Sequence, residues 1–358
     1  MLKLVVPSYI LDLPPYPLGR DYREDEIRLS ANENPLGPSF LALERIKEAL
    51  TRVHRYPDGL RNKLIKALAE WLKVEEGHLV LGNGSNEIVD MVVKAFLREG
   101  EEVLVPSPGY PYYHISAKAR GGIVKEVPLD FPKIDLSRVA SSINKKTKIV
   151  FLDNPNNPTG TIFTQKEFLE FLQKVREDVV IVLDCAYAEF VEEKDYLSPG
   201  ALLEIERPIL ILRTFSKFFG LAGLRIGYGI ARKELIGILE RVRQPFNVSI
   251  LSLAGAIGAL EDLEFQKRTR ELILEGRNFL EEGLKELGIE YIPSQANFIL
   301  VRVGKKKGEL LKILKGKRIV VRDMSGYGLP EYIRITVGKP EENRQLLELF
   351  KEWVKNQL

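Results

Sequence analysis

A lysine between hydroxyls, followed by glycines and an arginine, is the most chemically loaded stretch of the chain: Thr214-Phe215-Ser216-Lys217-Phe218-Phe219-Gly220-Leu221-Ala222-Gly223-Leu224-Arg225. A lysine that is desolvated and close to other cations has a lowered pKa and becomes a nucleophile toward aldehydes. Thr214, Ser216 and Arg225 are donors of the kind a phosphate takes. Asp184 closes the apolar run Val179-Val-Ile-Val-Leu-Asp184; taken alone it reads as a helix cap or a structural ion-pair partner. Leu81-Gly82-Asn83-Gly84-Ser85-Asn86-Glu87 opens a helix, where free N–H groups and the helix dipole favour an anion. The same pattern also serves ordinary capping. Asp153-Asn154-Pro155-Asn156-Asn157-Pro158-Thr159-Gly160 reads as a turn, in which Asn157 could present its amide to a ligand oxygen. Tyr110, in Pro106-Ser107-Pro108-Gly109-Tyr110-Pro111-Tyr112, is placed either in the core or flat against a heterocycle.

These residues share a position relative to predicted strands. Apolar runs at 102–106, 148–153, 179–184, 209–213 and 226–231 are separated by amphipathic stretches such as 165–176. Such a pattern predicts a mostly parallel sheet covered on both faces, with ligands at the carboxyl ends of the strands. Before it, 40–53 and 60–71 have helical periodicity. After it, 248–287 reads as one long helix, followed by strands at 296–303, 318–322 and 332–337 and a last helix over 341–358. The division expected is an N-terminal arm, 1–29, packing with a small α+β domain at 246–358, and a large domain at 30–245. Each strand end then supplies one part of a set: a nucleophilic lysine, a carboxylate, an asparagine, an aromatic ring and a phosphate cradle. Pyridoxal 5'-phosphate needs this set, with the lysine for its aldehyde and the carboxylate to keep its pyridinium nitrogen protonated.

Composition narrows the partners. The 358 residues carry 53 Lys+Arg against 50 Asp+Glu, a net charge of +3 that gives little support to nucleic-acid binding. No run of about 18 apolar residues predicts a membrane span, and the first ten residues lack a signal-peptide pattern. Cys185 is the one cysteine, which excludes an intramolecular disulfide and fits a reducing cytoplasm. Three dispersed histidines make a metal site improbable.

The chain resembles the fold-type-I pyridoxal-phosphate aminotransferases of class I/II. The expected fold has a large domain with a mostly parallel seven-stranded sheet flanked by helices, plus a small α+β domain. More narrowly, it is similar over nearly its whole length to the histidinol-phosphate aminotransferase family. The stretches that carry this are Ser30-Ala-Asn-Glu-Asn-Pro-Leu-Gly-Pro-Ser39, Tyr56-Pro-Asp-Gly59, Asn154 to Gly160, Asp184-Cys-Ala-Tyr187, Ser216-Lys217, and Tyr327-Gly-Leu-Pro-Glu-Tyr-Ile-Arg-Ile-Thr-Val-Gly338 with Pro340-Glu-Glu-Asn343. The resemblance implies that Lys217 bonds the cofactor aldehyde and later shuttles a proton, and that Asp184 pairs with the pyridinium nitrogen. Asn157 and Tyr187 would hold the 3-oxygen, and Tyr110 would stack on the ring. Gly84, Ser85, Asn86, Thr214, Ser216 and Arg225 would bind the cofactor phosphate, together with Tyr56 of a neighbouring subunit in a homodimer. Arg334, helped by Arg322, Tyr16 and Asn157, would grip the substrate anion.

The implied reaction is reversible, ping-pong transamination between histidinol phosphate and 2-oxoglutarate, with glutamate as the other product, in histidine biosynthesis. Alternatives are an aromatic amino-acid aminotransferase, a threonine-phosphate decarboxylase, and a regulator carrying such a domain as a sensor. The short stretch before Ser30 and the balanced charge disfavour the last. Three departures from the family pattern stand out. Cys185 occupies a position where Glu is common, one that usually points away from the ring. The arm Tyr16-Pro17-Leu18-Gly19 places its prolines differently. Asp323 follows Arg322 where proline is frequent, and either weakens phosphate binding or points outward.

Overall fold

The computed structural model describes residues 6–13, 23 and 25–356. Its strands, in chain order, are β1 Ile27–Leu29, β2 Leu79–Gly82, β3 Glu102–Ser107, β4 Ile123–Pro128, β5 Thr147–Asp153, β6 Val180–Asp184, β7 Ile209–Thr214, β8 Gly227–Ala231, β9 Tyr291–Ile292, β10 Phe298–Arg302, β11 Ile319–Asp323 and β12 Tyr332–Thr336. Seven form one sheet in the order β2-β8-β7-β6-β5-β3-β4, parallel except for β8, which runs antiparallel to both neighbours. Five form a second sheet, β1-β11-β12-β10-β9, in which only β1 and β11 pair in parallel.

Every residue of β6, β7 and β8 is buried, because helices cover both faces. The helices Ser85–Phe96 and Lys233–Val242 pack on one face, over Val103, Phe151, Val182 and Leu212. On the other side a continuous core runs from Leu104, Leu152 and Leu183 into the small sheet at Phe298 and Ile333. Four strands lie outside the predicted runs: the short β1 and β9 of the small sheet, and β2 and β4 of the large one. β2 is only four residues and ends in glycine, and β4 is an edge strand whose Lys125 and Glu126 face solvent.

The long helix predicted over 248–287 is two helices, Ile250–Glu261 and Leu263–Glu286. Asp262 breaks it, because its carboxylate accepts from the Phe265 N–H at 3.0 Å and caps the second helix. The first of the two is apolar on all sides and packs against Phe40–Leu50. Their approach depends on Gly258, where an added Cβ would meet Leu41 O at 2.5 Å. The predicted 165–176 helix stops at Leu172 and starts on a capping box of Thr164 and Glu167.

Two features position the site. β5, β6 and β7 are in register, with Asp153 beside Asp184 and Asp184 beside Leu212, so three strand ends share one rim. The segment following β1 then ties that rim to the small sheet. The Asn32 N–H donates to Thr336 Oγ1 at 2.9 Å, and Asn297 Nδ2 donates to Asn32 O at 3.1 Å. Among the described residues no helix is long and apolar enough to cross a membrane.

Candidate active site

A cavity of about 330 Å³ opens between the rim of the large sheet and the strands β11 and β12. Lys217 lies in the loop after β7, half-buried, and its ammonium donates to Ala31 O at 2.8 Å. Burial, followed by the positive charges of Arg334 and Arg225, lowers its pKa to about 8, against the opposing pull of Glu33 and Asp184. The amine is therefore neutral in an appreciable fraction of molecules near neutral pH, as a nucleophile requires.

Asp184 ends β6 beneath it. Its Oδ2 accepts from the Tyr113 hydroxyl at 2.9 Å and its Oδ1 from the Ala186 N–H at 3.2 Å. Burial lifts this carboxyl to about 6, while Tyr113, Ala186 and Lys217 favour the charged form. Asp153, at the matching end of β5, is pushed to about 7 by burial, opposed by the Asn157 N–H that it accepts at 2.8 Å. A buried carboxylate whose own surroundings only partly stabilise its charge is suited to a cationic partner such as a pyridinium.

Opposite Lys217, the Tyr187 hydroxyl accepts from Asn32 Nδ2 at 2.9 Å, which leaves its proton free to point elsewhere. Asn157 Oδ1 accepts from Arg334 Nη1. A guanidinium only donates, so the carbonyl side of this amide is fixed on Arg334 and its NH2 remains a donor. Arg334 also donates from Nη2 to Ser30 O at 3.1 Å and lies over the Phe298 ring at 5.1 Å. Arg322 reaches the same cavity from β11, directly across from Arg334 in the strand register. Tyr110 lines the wall, with its hydroxyl 3.2 Å from Asn86 Nδ2 and its ring edge-on to Tyr113.

The remaining wall is an anion cradle. Ser85 begins the helix Ser85–Phe96, with Gly84 as its N-cap at φ +75°. Arg225 is itself left-handed at φ +53°, and its Nη1 bonds Ser216 Oγ at 3.4 Å and Ala222 O at 2.9 Å. A Cβ on Gly84 would lie 2.5 Å from Arg225 Nη2, so the guanidinium rests on bare backbone at the helix N-terminus. The Ser216 N–H is held by Thr214 Oγ1 at 3.1 Å. Free N–H groups, two hydroxyls and a guanidinium at one end, with an amine and a carboxylate further along, fit pyridoxal phosphate as a donor set.

Ser85, Asn86, Tyr110, Asn157, Asp184 and Tyr187 from the sequence analysis line this one cavity, together with Thr214, Ser216, Lys217, Arg225, Arg322 and Arg334. Gly84 stands directly behind it. Tyr56 does not line it: the ring is 76% exposed and stacks on Phe246 at 4.1 Å. Tyr16 lies outside the described residues. The sequence alone does not assign Tyr113, Asn32 or Asp153 to the site. Tyr113 sits in an ordinary amphipathic helix turn, and Asn32 in a loop. Asp153 had the same strand-end signal as Asp184, and the register between them is what pairs the two. Cys185 points into the core, where burial pushes its thiol up to about 11. Asp323 turns away from the cavity and accepts from Lys307 at 2.7 Å.

The class I and II aminotransferase family model matches residues 24–350. The histidinol-phosphate aminotransferase of Desulfotalea psychrophila is 38% identical, over 99% of this chain and 96% of its own. That of Akkermansia muciniphila is 40% identical, over 96% and 97%. The crystal structure of histidinol-phosphate aminotransferase from Sinorhizobium meliloti in complex with pyridoxal-5'-phosphate superposes with a TM-score of 0.86, at 27% identity, covering 93% of this chain and 92% of that one. The chain belongs to the class I and II aminotransferases, and within them to the histidinol-phosphate aminotransferase family.

Proposed function

We propose that the protein is a pyridoxal-phosphate-dependent histidinol-phosphate aminotransferase that exchanges the amino group with 2-oxoglutarate and glutamate. The observation that carries the substrate assignment is the cross-strand pair Arg322 and Arg334. Like charges directly opposite on adjacent strands are destabilising unless an anion lies between them. A phosphate, with two negative charges and three terminal oxygens, offsets that repulsion better than a carboxylate does. The glutamate α-carboxylate takes the same two arginines in the other half of the cycle.

When bound, the cofactor supplies an electron sink that stabilises negative charge at the substrate Cα. The chain's residues do the rest. The Gly84–Ser85 helix end, Thr214, Ser216 and Arg225 would hold the cofactor phosphate. Asp184, buttressed by Tyr113, would keep the ring nitrogen protonated. Asn157 and Tyr187 would donate to the 3-oxygen, and Tyr110, held by Asn86, would cover the ring. Lys217 would be the amine that holds the cofactor through its aldehyde, and the base placed to move the proton at Cα. Arg334, placed by Asn157 and Ser30, orients the substrate so that the Cα proton faces Lys217.

The same reading includes a two-fold homodimer in which Tyr56 reaches the neighbouring subunit's cofactor phosphate. Its exposure and its position outside its own cavity support this, as does the exposed Phe246 beside it. Tyr16 belongs to the substrate site in this reading. The division into an arm 1–29, a large domain 30–245 and a small domain 246–358, and a cytoplasmic location, are part of the same proposal. The test is a steady-state comparison of histidinol phosphate, phenylalanine and tyrosine as amino donors. A higher kcat/KM for either aromatic amino acid than for histidinol phosphate would overturn the substrate assignment.

A further inference from the structure

Tyr327 has no part in the account so far, although it lines the cavity beside the two arginines. Its hydroxyl lies within interaction range of the Arg334 guanidinium and of Tyr187. A guanidinium has only donors, so a phenol beside it serves as acceptor toward it and turns its own O–H elsewhere. Tyr327 lines the same cavity as Arg322 and Arg334, so its O–H can be offered to an anion held there.

What holds Tyr327 there is on the opposite side of β11. Side chains alternate along a strand, so Arg322 faces the cavity while Asp323 faces the layer that covers Ile333 and Ile335. Lys307, at the start of the helix Lys307–Gly316, is 8% exposed, and its ammonium meets Asp323 Oδ1 at 2.7 Å and Ser325 Oγ at 2.6 Å. Ser325 closes the ring, because its hydroxyl and its N–H both donate to Asp323 Oδ1 at 2.8 Å. The turn continues without a break into the 3-10 segment Ser325–Tyr327, anchored by the buried Met324 and ended by Gly328 at φ +74°.

We propose that Tyr327 is a specificity-determining residue that donates to the third oxygen of a substrate phosphate, and that the Asp323–Lys307–Ser325 ring is the positioning device that holds it there. It rests on the reading of Arg322 and Arg334 as the substrate-anion site. A carboxylate offers two oxygens, which two arginines already satisfy. A phosphate offers three, so an additional hydroxyl discriminates between the two anions. Asp323, adjacent to Arg322 in sequence, therefore serves the anion site without facing it.

The test uses full-length, cofactor-loaded enzyme and inorganic phosphate as the probe, inhibiting competitively against glutamate. The quantity read is the ratio of the phosphate inhibition constant to the glutamate KM. Tyr327→Phe raises this ratio about tenfold, the factor expected for one hydrogen bond to a charged group. Asp323→Ala raises it in the same direction by less, and the double variant exceeds Tyr327→Phe alone by no measurable amount, because both act through one contact. If Asp323→Ala folds poorly, Ser325→Ala replaces it and opens the same ring. A ratio within twofold of wild type in Tyr327→Phe overturns the proposal, as does an Asp323 effect that adds in full to it. Absence of phosphate inhibition in the wild type also overturns it. A wild type that phosphate inhibits, but that does not turn over histidinol phosphate, defeats the substrate assignment alone.

Discussion

The hydroxyl of Tyr113 donates a 2.9 Å hydrogen bond to Oδ2 of Asp184, from a ring laid flat on Phe151 at a centroid distance of 4.5 Å. Both residues are buried. Tyr113 thus fixes the carboxylate that is proposed to meet the ring nitrogen, and favours its charged form. The stack on Phe151 and the edge contact with Tyr110 fix Tyr113 in turn.

Replacing Tyr113 by phenylalanine keeps the stacking and removes the donor. A hydrogen bond to a charged group is worth about 1.5–3 kcal/mol. Cofactor affinity should fall by about tenfold to a hundredfold, measured by equilibrium dialysis of the cofactor-free protein. An unchanged dissociation constant would remove Tyr113 from the support of Asp184.

Asp184 also gives the cofactor-free protein a pH signature. Its carboxyl is lifted from 3.8 to about 6 by burial, so between those values the folded chain holds a proton that the unfolded chain has lost. The resulting stability is fully present below about pH 4 and is lost as pH rises through about 6, to the extent of ~3 kcal/mol. Asp184→Asn abolishes this contribution. Denaturant unfolding of wild type and variant across this window should show a slope in the difference, falling toward higher pH. Parallel curves would contradict the burial argument. Asp153 remains in the variant, but the Asp184 charge is one of the causes that raise it, so its own titration moves down in the variant and adds to the difference in the same direction.

Lys217 is expected to react as an amine with a pKa near 8. In cofactor-free protein, trinitrobenzenesulfonate labelling of Lys217, followed by peptide mass spectrometry, should rise with a midpoint near pH 8, while exposed lysines follow a midpoint near 10. Arg334→Met removes the largest nearby positive charge acting on it and moves the midpoint up. A Lys217 midpoint equal to that of the surface lysines would refute the activation.

Gly84 is the position where a methyl group displaces a charge. Alanine there meets Arg225 Nη2 at 2.5 Å and must hold φ at +75°. The variant should lose at least tenfold in affinity for pyridoxal phosphate and little for pyridoxal, which lacks the phosphate. Equal losses for both would show that the cradle does not read the phosphate.

The sequence made the site legible where chemistry and secondary structure coincide. Lys217, Asp184 and Asn157 each follow an apolar run, so strand ends and polar residues locate one another. Tyr113, Asn32 and Tyr327 carry no such mark. Their positions depend on how a helix turn, a connecting loop and a strand connection fold back over the rim, which period and composition do not encode. The break at Asp262 was hidden for a related reason. Apolar residues continue on both sides of it, and a single capping aspartate divides the helix without disturbing that pattern. β4 carries no such signal, because an edge strand with Lys125 and Glu126 lacks the apolar run of its buried neighbours. Asp323 beside Arg322 left two outcomes open, and the alternation of β11 decides between them by sending the carboxylate to Lys307.

The most direct test of amino transfer is a half-reaction. Glutamate added without an acceptor to folded, cofactor-loaded protein should shift the visible absorbance band of the lysine-bound cofactor and release a stoichiometric amount of 2-oxoglutarate. A band that stays in place with no keto acid released would contradict the account.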